Sequence, residues 1–190
     1  MVVMGIDPGL AYMGYAFMKL DRHDEDVLAV GVIRTSASPR KMRMRQADDV
    51  TRRVVEIVDA LDRLMARHGP IAAVCTESFS PPRNASSAAK VAMAWGGVIG
   101  ATSPPYLQAS PQEIKIAGCG SKKASKDSVT AALSGRYGSC EDVWDTTPAG
   151  QRDHGWDALA SIVACLTSPA IEMTRRNISI ETDTRQHIGT

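Results

Sequence analysis

The chain opens on Val2-Val3-Met4-Gly5-Ile6, an unbroken apolar run closed by Asp7-Pro8-Gly9. No other stretch constrains the fold as strongly. A short continuous apolar run bounded by a Pro-Gly turn describes a buried strand. This strand ends in a carboxylate, Asp7, at a place where burial favours an apolar side chain.

The rest of the chain supplies partners for that strand. Tyr12 to Leu20 and Val27 to Ile33 are further β-like runs, separated by the charged turn Asp21–Asp26. Three strands on short turns predict an antiparallel start to a sheet. From about Met42 to His68 the period becomes helical, with Val50, Val54, Ile57, Val58, Leu61 and Leu64 at three- and four-residue spacing. Gly69-Pro70 stops that helix. Ile71 to Cys75 reads as another buried strand, running into Thr76-Glu77, and Ala88 to Ile99 as a helix of small residues around Gly96-Gly97. Tyr106 to Ala109 is a short strand. A helical turn then starts at Pro111, breaks at Gly118-Cys119-Gly120 and resumes from Ser125 to Leu133. Asp153 to Leu166 is the last helix, with Trp156, Leu159, Val163 and Leu166 on its apolar face. The whole reads as one mixed α/β domain over residues 1–167 with a single five-stranded sheet, followed by a polar, loosely held tail over 168–190.

At 190 residues the chain can bury a core without staples. Its four cysteines (75, 119, 140 and 165) include no C-x-x-C pair, which argues against a zinc ribbon and for reduced, mostly buried thiols. There is neither a secretory leader at Met1 nor an apolar run near the ~18–20 residues of a membrane span, so the expectation is a soluble, cytoplasmic protein with no membrane partner. The 22 Lys and Arg against 21 Asp and Glu argue against an overtly basic nucleic-acid binder, but a sum over the surface does not exclude local patches.

Three acids stand where the pattern predicts burial or a strand end: Asp7, Glu77 and Asp157. If the strands ending at Asp7 and Glu77 are neighbours, the last helix can bring Asp157 beside them. His154 precedes Asp157 by three residues and so shares its helix face. Grouped carboxylates repel one another unless neutralised, and oxygen ligands without cysteine suit Mg²⁺ or Mn²⁺. Two such ions ~3.5–4 Å apart would clamp the attacking water and leaving oxygen of a phosphodiester. Each residue alone has a plainer reading: a turn for Asp7-Pro8-Gly9, a cap for Glu77 or Asp157, a surface position for His154. The joint placement carries the argument.

Those residues also carry a family likeness. Gly5-Ile6-Asp7-Pro8-Gly9-Leu10-Ala11 followed by Gly14-Tyr15 resembles the opening motif of RuvC-type Holliday junction resolvases. Glu77, the Ser87–Lys90 to Gly97 helix, the Ile114–Lys126 segment and His154-Gly155-Trp156-Asp157-Ala158-Leu159-Ala160 resemble the family's later motifs, in order. The resemblance implies an RNase H-like fold, a central mixed five-stranded sheet flanked by helices, and a homodimer. It also implies Mg²⁺-dependent resolution of four-way DNA by paired symmetric nicks, with two ions per site and Mn²⁺ able to substitute. It assigns metal binding to Asp7, Glu77, His154 and Asp157, and a catalytic role to these four and to Lys126. His154 stands where the family usually has aspartate, and adjacent Asp153 is turned ~100° away on a helix.

The resemblance and the charge pattern together nominate a DNA surface. Residues 34–53 hold seven basic side chains, Arg43 and Arg45 among them, against two acids. Residues 114–126 hold Lys115, Lys122, Lys123 and Lys126 with no acid. Lysine and arginine in such runs neutralise phosphates. Phe79 and Arg83, just after Glu77, complete the set, with Phe79 nominated to stack on an unpaired base. Gly118 and Gly120 would admit DNA close to the backbone, and the Ala88–Ile99 helix is the expected dimer face. Two other readings stay open: a broader branched-DNA or flap nuclease of the same fold, and a non-catalytic junction binder whose metal site His154 weakens. A branch-migration motor as partner is neither indicated nor excluded.

Overall fold

The structure is a computed structural model that describes residues 1–22, 24–42, 44–78, 84–138, 140, 143–144 and 147–176 of the chain. Five strands form one sheet: β1 (Val2–Asp7), β2 (Tyr12–Leu20), β3 (Glu25–Arg34), β4 (Ile71–Glu77) and β5 (Tyr106–Ala109). Their spatial order is β3-β2-β1-β4-β5. β1 pairs antiparallel with β2 and β2 with β3, whereas β1 with β4 and β4 with β5 are parallel. The sheet is therefore mixed, with the antiparallel start that the three short-turn strands predict. Parallel pairing needs a crossover, and the helices supply it: α1 (Gln46–His68) between β3 and β4, and α2 (Ala85–Ala101) between β4 and β5.

Side chains alternate across each strand, so the sheet has two apolar faces. Met4, Ile6, Tyr15, Phe17 and Val74 pack with Ile57, Leu61 and Leu64 of α1 and Ala94 and Val98 of α2. Val3, Ala16, Met18 and Cys75 face the other way. That second face is covered by α3 (Pro111–Cys119), α4 (Lys126–Tyr137) and α5 (Asp153–Cys165). Asp7 shares the parity of Val3, and Glu77 that of Cys75. Both carboxylates therefore fall on the face that α5 covers. Cys75, Cys140 and Cys165 are buried and Cys119 is partly buried, all as free thiols.

Local signals set the helix ends. Asn84 caps α2 by accepting from Ser87 N–H at 3.1 Å. Ser110 and Glu113 form a capping box on α3, with Pro111 in its first turn. Gly69 and Gly120 follow α1 and α3 with φ of +85° and +74°, a region glycine enters without strain.

The structure starts α1 at Gln46 and α2 at Ala85, runs α4 on to Tyr137, and departs from the sequence reading more substantially in three respects. The turn at Pro111 extends into a full helix, so α3 and α4 are two helices and not one interrupted segment. Gly118 serves helix packing: a methyl there would press on the Val129 side chain of α4 at 2.8 Å. Residues 168–176 are not loose, because 169–176 are helical, Ile171 is 2% exposed and Arg175 reaches Glu25 at 3.4 Å. Ile171 and Arg175 tie this short segment to the rest of the domain.

Candidate active site

Asp7 and Glu77 end adjacent parallel strands. The last registered pair between β1 and β4 is Ile6 opposite Thr76, one residue before both acids. α5 crosses directly over this strand end. It can lie that close because β1 and β2 present Gly5 and Gly14 beneath it: a methyl at Gly5 would overlap the Ala158 carbonyl, and one at Gly14 the His154 carbonyl. Close seating also explains why α5 is buried on most of its circumference, Ala158, Ala160 and Ser161 included, and not only on the apolar stripe its sequence shows.

The result is a compact group. Asp7, His154 and Asp157 each offer one ligand atom, and these atoms lie within 4.8 Å of one another. His154 Nδ1 is 2.6 Å from Asp7 Oδ2, and Lys126 Nζ, from the first turn of α4, is 2.6 Å from Asp157 Oδ2. Glu77 lies outside the close trio but within its field. Burial, then the Asp7 and Asp157 charges, push its carboxyl up, with Lys115 and Lys126 opposing. Burial also raises Asp157, and Asp7 adds to it, so that the Lys126 hydrogen bond offsets the shift only in part. The bond to Asp7 raises His154 against the effect of burial. Burial is the largest single influence on the Lys126 ammonium and works against it, but the bond to Asp157 together with the charges of Asp157, Asp153 and Asp7 raises it.

Crowded carboxylates that resist ionisation are a site prepared for added positive charge. The donor set of two carboxylates and one imidazole, with a third carboxylate nearby, fits a hard or borderline divalent cation. Asp153 is exposed and outside the trio.

The structure sorts the remaining nominated residues. Lys115 and Lys126 reach the field of Glu77, whereas Lys122 and Lys123 sit exposed on the α3–α4 turn. Arg45 is exposed and ion-paired with Asp48 at 2.7 Å. Much of the basic run around it has internal work: Arg52 bridges Asp49 and Glu56, and buried Arg53 donates to Thr35 Oγ1 at 2.8 Å. Phe79, Arg83 and Arg43 lie outside the described residues. Sequence reasoning missed Tyr12, whose ring stacks on His154 with centroids 5.6 Å apart and planes 7° from parallel. Its signal was a partly exposed aromatic at the first position of a strand.

A family model described as crossover junction endodeoxyribonuclease RuvC matches residues 3–135. The chain belongs to the RuvC family. A relative named crossover junction endodeoxyribonuclease RuvC, from Prochlorococcus marinus (strain MIT 9211), is 36% identical over 137 residues, covering 70% of this chain and 79% of its own. The Thermus thermophilus RuvC structure in complex with a Holliday junction substrate is similar with a TM-score of 0.69 and 26% identity, covering 94% of this chain and 97% of that one. The yeast mitochondrial Holliday junction resolvase shares the fold at 11% identity, with a TM-score of 0.63 over 93% of this chain and 82% of its own. The architecture is thus the RNase H-like one. The RuvC match spans Asp7, Glu77, Lys115 and Lys126, while His154 and Asp157 lie beyond its end. Those two are tied to the site by the packing of α5. No helix among the described residues is long and apolar enough to cross a membrane.

Proposed function

We propose that this chain is a structure-selective endonuclease that resolves four-way DNA junctions by paired symmetric nicks, leaving 5′-phosphate and 3′-hydroxyl ends. The observation that carries the reading is the convergence of Asp7, His154 and Asp157 at one sheet end, with Lys126 held on Asp157. Asp7, Glu77, His154 and Asp157 would hold Mg²⁺, or Mn²⁺ in its place, two ions per site. Bound divalent ions supply charge stabilisation at the phosphoryl oxygens and a water acidic enough to react near neutral pH.

The chain's own residues do the rest. Asp7 Oδ2 orients the His154 ring through Nδ1 and leaves the other ring nitrogen for a proton or a ligand bond. Lys126 keeps its charge beside Asp157 and can turn it toward a phosphate oxygen. Lys115, Lys122, Lys123, Arg43, Arg45 and Arg83 would neutralise backbone phosphates.

A homodimer suits the two-fold symmetry of the substrate, with one site per cleaved strand. α2 supports it. Gly97 packs under Val54 of α1, yet Gly96 and Gly100 face open space, and Met93 and Ile99 are 44% and 36% exposed. An apolar helix half covered by its own core leaves a face for a second copy.

The experiment is incubation of end-labelled junctions, flaps, forks and duplex with Mg²⁺ or Mn²⁺. Symmetric nicks confined to the junction are expected. Equal cutting of flaps or forks would replace this reading with the broader nuclease. Binding without nicks in either metal would leave a junction-binding protein.

A further inference from the structure

Two clefts flank the first turn of α5, and they differ in their basic side chains. One, of about 380 Å³, is lined in part by Lys126 and Arg152 together with Asp127 and Asp153. The other, of about 370 Å³, is lined by Tyr12, Gly150, Gln151, Asp153 and His154. Lysine and arginine side chains on the first suit a phosphate. The second has none among the described residues, and its acid is Asp153. With no lysine or arginine on its wall, the second cleft is the poorer place for a phosphate and the better one for a neutral ligand.

The wall of the second cleft is aromatic. Tyr12 is 38% exposed, unusual for a large ring in a chain with this well-filled core. Its backbone is held in the sheet. It starts β2, paired opposite Arg34, and the preceding carbonyl of Ala11 accepts from Thr35 N–H at 3.1 Å. Its ring lies nearly parallel to that of His154. A ring fixed in orientation at a cleft mouth, one bond network away from Asp7, is preorganised to stack. The cleft also holds a polar group in need of a partner: Gln151 Oε1 is buried without a hydrogen bond, and a base-edge amino group could meet it after rotation of the amide.

We infer that Tyr12 is a stacking platform for an unpaired nucleobase of the DNA, adjacent to the cleaved phosphate, and that the Tyr12–Gln151 cleft holds that base. This rests on the nuclease reading above. The DNA strand then crosses the site with its backbone toward Lys126 and Arg152 and one base turned toward Tyr12. Base–aromatic stacking is sequence-tolerant because every base has a π-face, so this contact selects unpaired structure over sequence.

The test is a cycle between protein and substrate. Junction cleavage is timed for wild type and Tyr12→Leu, on intact DNA and on DNA carrying single abasic nucleotides at each position flanking the nick. On intact DNA, Tyr12→Leu is expected to slow cleavage by roughly tenfold, the order of one lost stack. At one flanking position the abasic substitution slows wild type by a similar factor and slows Tyr12→Leu no further. Tyr12→Phe, which keeps the ring, restores sensitivity to that missing base. If the two losses multiply at every position, Tyr12 acts on His154 alone and the platform is wrong. An unslowed Tyr12→Leu also overturns it. No cleavage by wild type removes the nuclease reading and the platform with it, whereas cleavage with independent losses removes only the platform.

Discussion

The carbonyl of His154 rests directly over Gly14, where even a methyl group would overlap it. Gly14 also pairs with Asp7 across the β1–β2 ladder. One missing side chain thus seats the helix that carries two site residues against β2, the neighbour of the strand that carries the third. Gly14→Ala must push α5 outward or buckle β2, and either separates His154 from Asp7. Junction cleavage is expected to fall sharply, with a lowered urea midpoint. Gly135→Ala is the control: it lies inside α4 with open space around it, and stability should rise by about 0.5–1 kcal/mol.

Asp7→Asn keeps the size of the side chain and removes its charge. Cleavage should be abolished while junction binding survives, as read by gel shift beside a nicking assay. A variant that nicks at the wild-type rate in Mg²⁺ would exclude Asp7 from the metal group.

A pH-dependent contribution to stability comes from Asp49, away from the site. Its carboxylate accepts from Ser38 Oγ at 2.6 Å, Ser38 N–H at 3.0 Å and Arg52 at 2.7 Å, and these bonds lower its pKa from 3.8 to about 2. A carboxyl depressed on folding stabilises the native state above its unfolded value, and that contribution is lost as pH falls through the folded one. Asp49→Asn should therefore be less stable than wild type at pH 7. The gap should close between about pH 4 and pH 2, as followed by urea unfolding across that range.

Ile171 tests the docking of residues 168–176. It is 2% exposed in the core that also holds Leu159 and Ile162. Ile171→Ala should cost about 2–5 kcal/mol, the range for emptying a buried aliphatic site. A cost near zero in denaturant titration would mean the segment is as loose as its composition suggests.

The exposed half of α2 can be probed at Gly96, where an added side chain meets nothing in the single chain. Gly96→Glu should leave the fold intact by circular dichroism. In a homodimer built on this face it should also convert dimer to monomer by sedimentation. Retention of a dimer would move the interface elsewhere.

Much of the fold was legible because its signals are local. Tyr12–Leu20 and Tyr106–Ala109 occupy the residues their patterning marks, and α1 ends at His68 where Gly69-Pro70 stops it. Asp7 and Glu77 stood out because a carboxylate at the end of a buried strand is expensive without a partner. The α3–α4 division was less visible, since a glycine-rich break reads the same inside one helix or between two. The docking of 168–176 left little trace, because it turns on Ile171 and on an Arg175 contact with Glu25, 150 positions away.

Periodicity and breakers alone specified the elements, their order and the positions at which acids close them, since these depend on residues a few places apart. Tertiary packing decided which of them meet. Asp7 and His154 are 147 positions apart, and nothing local to either reports the other. Their contact exists because Gly5 and Gly14 let α5 settle onto the sheet. The same settling sets Lys126 on Asp157 and Tyr12 on His154. Those contacts follow from the shape of the packed surfaces, which a one-dimensional pattern of apolar and polar residues does not encode.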